Sequence, residues 1–134
     1  IVTQFFQPST SSTFTYSAGA TLAWQVGAGA PNPPNPADYA DPGADLGMVF
    51  TLQNTGVVTS STISLSLSGT NSTVWTLLSD NCSGTTLAAG ASCTVNAYFQ
   101  WSLLPDGPTV YSATLEATAA TGGTTTNALQ GQNL

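Results

Sequence analysis

The 134-residue sequence has no lysine, no arginine and no histidine. Its charged side chains are six acids: Asp38, Asp41, Asp45, Asp80, Asp106 and Glu116. No side chain can neutralise a phosphate, so nucleic-acid binding is effectively excluded. Attraction of basic residues to anionic lipid is excluded for the same reason. Without His or Lys the usual general bases, Schiff-base formers and catalytic triads cannot be assembled. Zinc and copper sites lose their commonest ligand. The chain is therefore expected to be non-catalytic, with a structural or binding role. No apolar run approaches the roughly 18 residues of a membrane span, so direct membrane insertion is not expected. No signal peptide is visible, and the chain opens on Ile1, which suggests a processed amino terminus or an artificial boundary.

Two further consequences follow from the missing cations. Trypsin-like proteases find no cleavage site, which suits exposure outside a cell. Side-chain ion pairs cannot form, so the carboxylates lack the partners whose loss usually drives acid unfolding, and the fold is expected to be indifferent to acid. Solubility must come from neutral polar groups. The chain holds 22 Thr and 15 Ser, more than a quarter of its residues. Hydroxyls hydrate a surface without titrating, and Thr also favours strands. At 41% hydrophobic, the chain can still bury a core.

There are two cysteines, Cys82 and Cys93. Their spacing is too wide for a CxxC redox pair, and two sulfurs without His cannot complete a metal site. A disulfide across a glycine-containing hairpin loop is the simplest reading; two buried free thiols are the alternative. The bond would contribute roughly 3 kcal/mol by closing a 12-residue loop and would place the protein in an oxidising compartment, secreted, periplasmic or at the cell surface. Two sequons, Asn71-Ser72-Thr73 and Asn81-Cys82-Ser83, offer glycan acceptors, Asn81 being the poorer one beside its cysteine.

Period-two alternation dominates the pattern, and helical periodicity is missing. Leu22, Trp24 and Val26 share a face, as do Met48, Phe50 and Leu52, then Ile63, Leu65 and Leu67, then Trp75 and Leu77. Val95, Ala97, Phe99 and Trp101 form one long run, and Tyr111, Ala113, Leu115 and Ala117 another. Turn signals separate them, among them Asn54-Thr55-Gly56 and Thr121-Gly122-Gly123. Seven to eight short strands at this spacing predict an all-β fold, an antiparallel β-sandwich. Residues 27–45 break the pattern, with prolines at 31, 33, 34, 36 and 42. They read as a long extended loop, because proline cannot feed a central ladder.

Candidate chemistry is sparse. Asp38, Asp41 and Asp45 on that loop are the one carboxylate cluster, a weak Ca²⁺ site against the plainer reading of a solvated loop. Glu116 and Asp106 are a further carboxylate pair, but nothing in the sequence brings them together as a glycosidase requires. Trp24, Trp75, Trp101 and the tyrosines are read as core rather than as a sugar-stacking platform, with Tyr39 and Trp101 the two whose exposure matters.

From Phe50 onward the chain resembles the Ig-like modules of bacterial surface proteins known as choice-of-anchor D repeats, of the Hydin-like type. The carrying residues are Phe50-Thr51-Leu52-Gln53-Asn54-Thr55-Gly56, Leu65-Ser66-Leu67-Ser68-Gly69-Thr70-Asn71, the cysteine hairpin from Asp80 to Val95, Tyr111-Ser112-Ala113-Thr114-Leu115 and Ala128-Leu129-Gln130-Gly131. The resemblance implies an extracellular seven-stranded Ig-like sandwich with a disulfide, used for display, adhesion or assembly. It carries no catalytic residues over.

The N-terminal segment Ile1-Val2-Thr3-Gln4-Phe5-Phe6-Gln7 is apolar, strand-forming and free of charged side chains. Left as an open edge it is an aggregation hazard, so it must be covered. It either folds back as the first strand of its own sandwich or pairs, as a donor strand, with the next copy. The expected organisation is an N-terminal extension and hinge over residues 1–13, then a sandwich over 14–134. The expected function is a structural subunit of an extracellular filament or surface assembly, with Ile1, Val2, Thr3, Gln4, Phe5 and Phe6 at the subunit interface and copies of itself as partners. The alternative is a non-catalytic adhesion or decoration module that binds a glycan or protein receptor.

Overall fold

A computed structural model describes residues 19–27, 32–39, 45–105 and 107–133. These residues form eight strands: β1 Leu22–Trp24, β2 Ala37–Tyr39, β3 Leu46–Asn54, β4 Ser64–Ser68, β5 Trp75–Leu78, β6 Ser92–Phe99, β7 Gly107–Ala119 and β8 Gly123–Asn133. Two single-turn 3₁₀ helices, Ser72–Val74 and Trp101–Leu103, are the only helical segments among them. Gly122 and Gly123 both take positive φ, 143° and 75°, which gives β7 and β8 their tight connection.

The strands lie in two four-stranded sheets, ordered β1-β3-β6-β5 and β2-β8-β7-β4. Setting β2 aside, the division is that of a constant-type immunoglobulin sandwich, four strands facing three. All pairings are antiparallel but one: β2 runs parallel to β8, with Ala37 opposite Leu129 and Tyr39 opposite Gly131.

That exception corrects the reading of residues 27–45 as a loop throughout. Proline is tolerated at a sheet edge, and β2 is an edge strand that begins directly after Pro36. Side chains and carbonyls of the proline stretch fasten it to β8. The Ala128 N–H donates to Asn35 Oδ1 at 3.0 Å, and Asn127 Nδ2 donates to the Pro34 carbonyl at 3.2 Å. Pro33 is fully buried.

The core lies between the two sheets and is built by the alternation. Phe50, Leu52, Val95, Ala97 and Phe99 face inward from one sheet, and Ala113, Leu115, Ala117 and Leu129 from the other. Trp24 packs edge-on against Phe50, with ring centres 6.0 Å apart. Trp75, Tyr39 and Phe99 form a second aromatic cluster, Trp75 and Phe99 being 4.9 Å apart. Tyr39 is wholly buried, and its hydroxyl donates to the Ala97 carbonyl at 2.7 Å, so β2 reaches across to the opposite sheet. Burial pushes this phenol far above its usual range. The inward run of β1 stops sooner than the alternation implies. Val26 is 59% exposed, because β1 ends at Trp24 and Gly27 turns to donate to the Pro33 carbonyl.

Candidate functional site

The two cysteines are joined: Cys82 and Cys93 form a disulfide with 5.3 Å between their Cα atoms, and no cysteine is free among the described residues. Such a bond suits an oxidising compartment. The loop it closes is tightly held at both ends. Before the bond, the Asp80 carboxylate accepts from the N–H of Cys82 at 2.8 Å, the N–H of Ser83 at 2.9 Å and the Ser83 hydroxyl. Within the loop, Leu87 is buried, its N–H donates to Ser60 Oγ at 2.9 Å, and its carbonyl accepts from Asn54 Nδ2 at 2.9 Å.

Asp80 modifies the expectation of acid indifference, since carboxylates can be stabilised by hydrogen-bond donors without any cation. Burial raises the Asp80 carboxyl. The hydrogen bonds from Ser83 and Cys82 outweigh that and hold it below the usual carboxylate value. A lowered folded-state pKa contributes stability above the unfolded pKa and loses it as pH falls through the folded one. The melting temperature of the wild-type chain should therefore drop modestly below about pH 4. Asp80→Asn should flatten most of that slope, as calorimetry at pH 7 and pH 2 will read.

Asn54, at the end of β3, is a fully buried polar side chain with all four of its bonds made. Its Oδ1 accepts from the N–H of Thr21 and the N–H of Gly56, both at 3.0 Å. Its Nδ2 donates to the carbonyls of Val58 at 2.7 Å and Leu87 at 2.9 Å. One amide thus ties together the entry to β1, the turn after β3 and the disulfide loop. Its pattern position was visible only as a turn signal; that it is a hub was not.

The remaining candidates are dispersed. Asp38 is exposed on β2, and Asp45 accepts from the Ser102 N–H at 2.7 Å and its hydroxyl at 3.1 Å. Asp41 lies outside the described residues, which hold no group of three potential metal ligands. Trp24 and Trp75 are buried, as the core reading requires, and so is Tyr39; Trp101 is half-buried. Asn71 is half-buried, and its Oδ1 accepts from the Ser112 N–H at 3.1 Å, whereas Asn81 is exposed. The segment Ile1–Phe6 lies outside the described residues. A shallow groove of about 400 Å³ on the β7–β8 face is lined by Pro36, Thr70, Ser112, Thr114 and Gln130 among others, with no charged or aromatic side chain.

The outer face around it is dense in hydroxyls. Ser64, Thr118 and Thr124 align across β4, β7 and β8, as do Ser66, Glu116 and Thr126. Among the described residues no helix is long and apolar enough to cross a membrane.

No protein-family model matches this chain, and no curated protein matches it. Solved structures do share its fold. The secreted serine protease VesC from Vibrio cholerae aligns with a TM-score of 0.55 and 17% identity, covering 87% of this chain and 23% of that one. The V. cholerae protease VesB aligns with a TM-score of 0.53 and 23% identity, covering 84% of this chain and 32% of that one. The ASH / PapD-like domain 7 of human CEP192 aligns with a TM-score of 0.51 and 12% identity, covering 98% and 97% of the two chains. The chain thus spans a quarter to a third of the length of the two proteases. At these identities the likeness shows an Ig-like, PapD-like sandwich and nothing finer.

Proposed function

We propose that this protein is a secreted structural subunit of an extracellular filament or surface assembly, joined copy to copy by β-strand addition, and a relative of the choice-of-anchor D type. The observation that carries the reading is the completeness of the sandwich. Residues 22–133 supply every strand of a constant-type sandwich, with β2 in addition. The uncharged, strand-forming segment Ile1–Gln7 is therefore surplus to the described fold, and a surplus apolar strand needs a sheet edge to pair with. Catalysis has no part in this function, and neither cofactor nor nucleic acid is required.

Deleting residues 1–7 tests the reading. The full-length chain should form filaments by electron microscopy, and the truncated chain should remain monomeric with its melting temperature little changed. Filaments that persist after the deletion would overturn donor-strand pairing.

A second reading, a non-catalytic adhesion or decoration module that binds a glycan or protein, draws on one observation. The same sandwich forms a minor part of two longer Vibrio proteases, as an appended module does. On that reading the full chain stays monomeric at all concentrations.

A further inference from the structure

We propose that the open edge of β4, at Leu65 and Leu67, is the acceptor for the N-terminal strand Ile1–Gln7 of a second copy. This rests on the strand-addition reading above and assigns it a place.

The four terminal strands are not equivalent. β1 is sealed. Its N–H groups on the side away from β3 are already used, Leu22 donating to the Gly122 carbonyl at 2.8 Å and Trp24 to Thr125 Oγ1 at 3.4 Å. The Trp24 indole N–H adds a bond to the Thr125 carbonyl at 3.2 Å. β2 is three residues long and follows a proline. β5 pairs with β6 in a phase set by Gln100 donating to the Val74 carbonyl, so Trp75 and Leu77 present their main chain outward. The Trp75 N–H is already bonded to the Ser72 carbonyl, which leaves one donor, at Leu77.

β4 differs. The main chain of Ile63 points away from β7 and is paired there: its N–H donates to the Thr85 carbonyl at 2.9 Å, and its carbonyl accepts from the Gly84 N–H at 2.8 Å. Leu65 and Leu67 follow at the same phase, because main-chain direction alternates along a strand. Their two N–H and two C=O groups face outward with no partner strand among the described residues, since β4 ends its sheet. The disulfide loop starts a ladder along this edge and then leaves it. Nothing blunts the edge: Ser64-Leu65-Ser66-Leu67-Ser68 has no charge and no proline, the usual safeguards. The Leu65 and Leu67 side chains pack against the core yet stay half-covered, as residues beside a missing strand do.

The occupant follows from the chain's own composition and reach. In Ile1–Gln7, alternation puts Ile1 and Phe5 on one side and Val2 and Phe6 on the other, so either register lays a bulky side chain over the two leucines. Residues 8–18 form a tether of up to about 36 Å. The described chain begins at Gly19, whose carbonyl accepts from the Val57 N–H beside β1. β1 lies against β8, whereas β4 ends the other side of that sheet, so the tether leaves from the flank opposite its target. Copies aligned flank to flank bring one tether directly to the next acceptor. Pairing within one molecule would have to wrap round the sandwich.

The test is amide hydrogen exchange of the full chain, assembled and as dilute monomer, read residue by residue after the assemblies are dissolved. Assembly should slow the Leu65 and Leu67 amides by roughly tenfold or more, while Ser66 and Ser68, already laddered to β7, change little. Leu67→Pro, which removes an outward N–H but no bond to β7, should lower filament yield by about tenfold while the monomer stays folded, its melting temperature lowered by the lost packing of Leu67. Protection gained at Leu77 instead would overturn the β4 assignment and leave strand addition standing. Leu65 and Leu67 amides already slow in dilute monomer would mean the strand pairs within its own copy, which overturns the second-copy occupant. Filaments that survive deletion of residues 1–7 would overturn donor-strand pairing altogether, and with it this assignment.

Discussion

Asn54→Asp is expected to destabilise the fold by about 3–5 kcal/mol, although it exchanges one amino group for one oxygen. The amide makes four hydrogen bonds inside the protein, two as acceptor and two as donor. The introduced carboxylate keeps the two it accepts, from Thr21 and Gly56. It turns an oxygen toward the carbonyls of Val58 and Leu87, which lie 2.7 and 2.9 Å from the present nitrogen. Two acceptors then face a buried charge with no cation in the chain to relieve it. Burial and these carbonyls raise the folded-state pKa of the new acid, so its neutral form is favoured in the fold. The variant should therefore gain stability as pH falls, and lose it as pH rises through that raised pKa. Asn54→Ala should be destabilised by a similar amount with no such pH dependence. Thermal unfolding of both variants between pH 4 and pH 8 separates the charge from the lost bonds.

Reduction of the Cys82–Cys93 bond, or Cys82→Ala with Cys93→Ala, should cost about 3 kcal/mol by the loop-closure argument. In a domain of this size that corresponds to a fall in melting temperature of about 10–15 °C. The loop does more than close on itself. It buries Leu87, offers its carbonyl to Asn54 and pairs Gly84 and Thr85 with Ile63. The disulfide and Asn54 therefore share a partner and should not act independently. A double-mutant cycle combining the cysteine pair with Asn54→Ala should show a combined loss smaller than the sum. Strict additivity would mean the loop keeps its place without the bond.

The strands that fill the core were legible because their signal is local. Val95, Ala97 and Phe99 alternate without interruption and are all fully buried. The same rule overshot at two ends. Trp101 continues the alternation on paper, but Gln100 leaves the strand and Trp101 opens a 3₁₀ turn. Val26 continues that of β1 and points to solvent. β2 escaped notice for a different reason. The prolines before it mark a loop to any local reading, while the strand it pairs with lies 92 positions further along, Ala37 opposite Leu129. The cysteine pair was legible from spacing and compartment logic. The open edge of β4 was not. The period of Ile63, Leu65 and Leu67 shows which side chains face the core, but the end of a sheet is defined by which strands fail to arrive.

The bonds from Leu22 and Trp24 to Gly122 and Thr125 close one flank of the sandwich. The two sides of the molecule are consequently different surfaces, and the strand addition proposed above would join unlike patches: a heterologous contact rather than a two-fold one. Such contacts do not terminate in a dimer. On the strand addition proposed above they would repeat, each added unit exposing one fresh acceptor and one tail, and the polymer would have two chemically distinct ends.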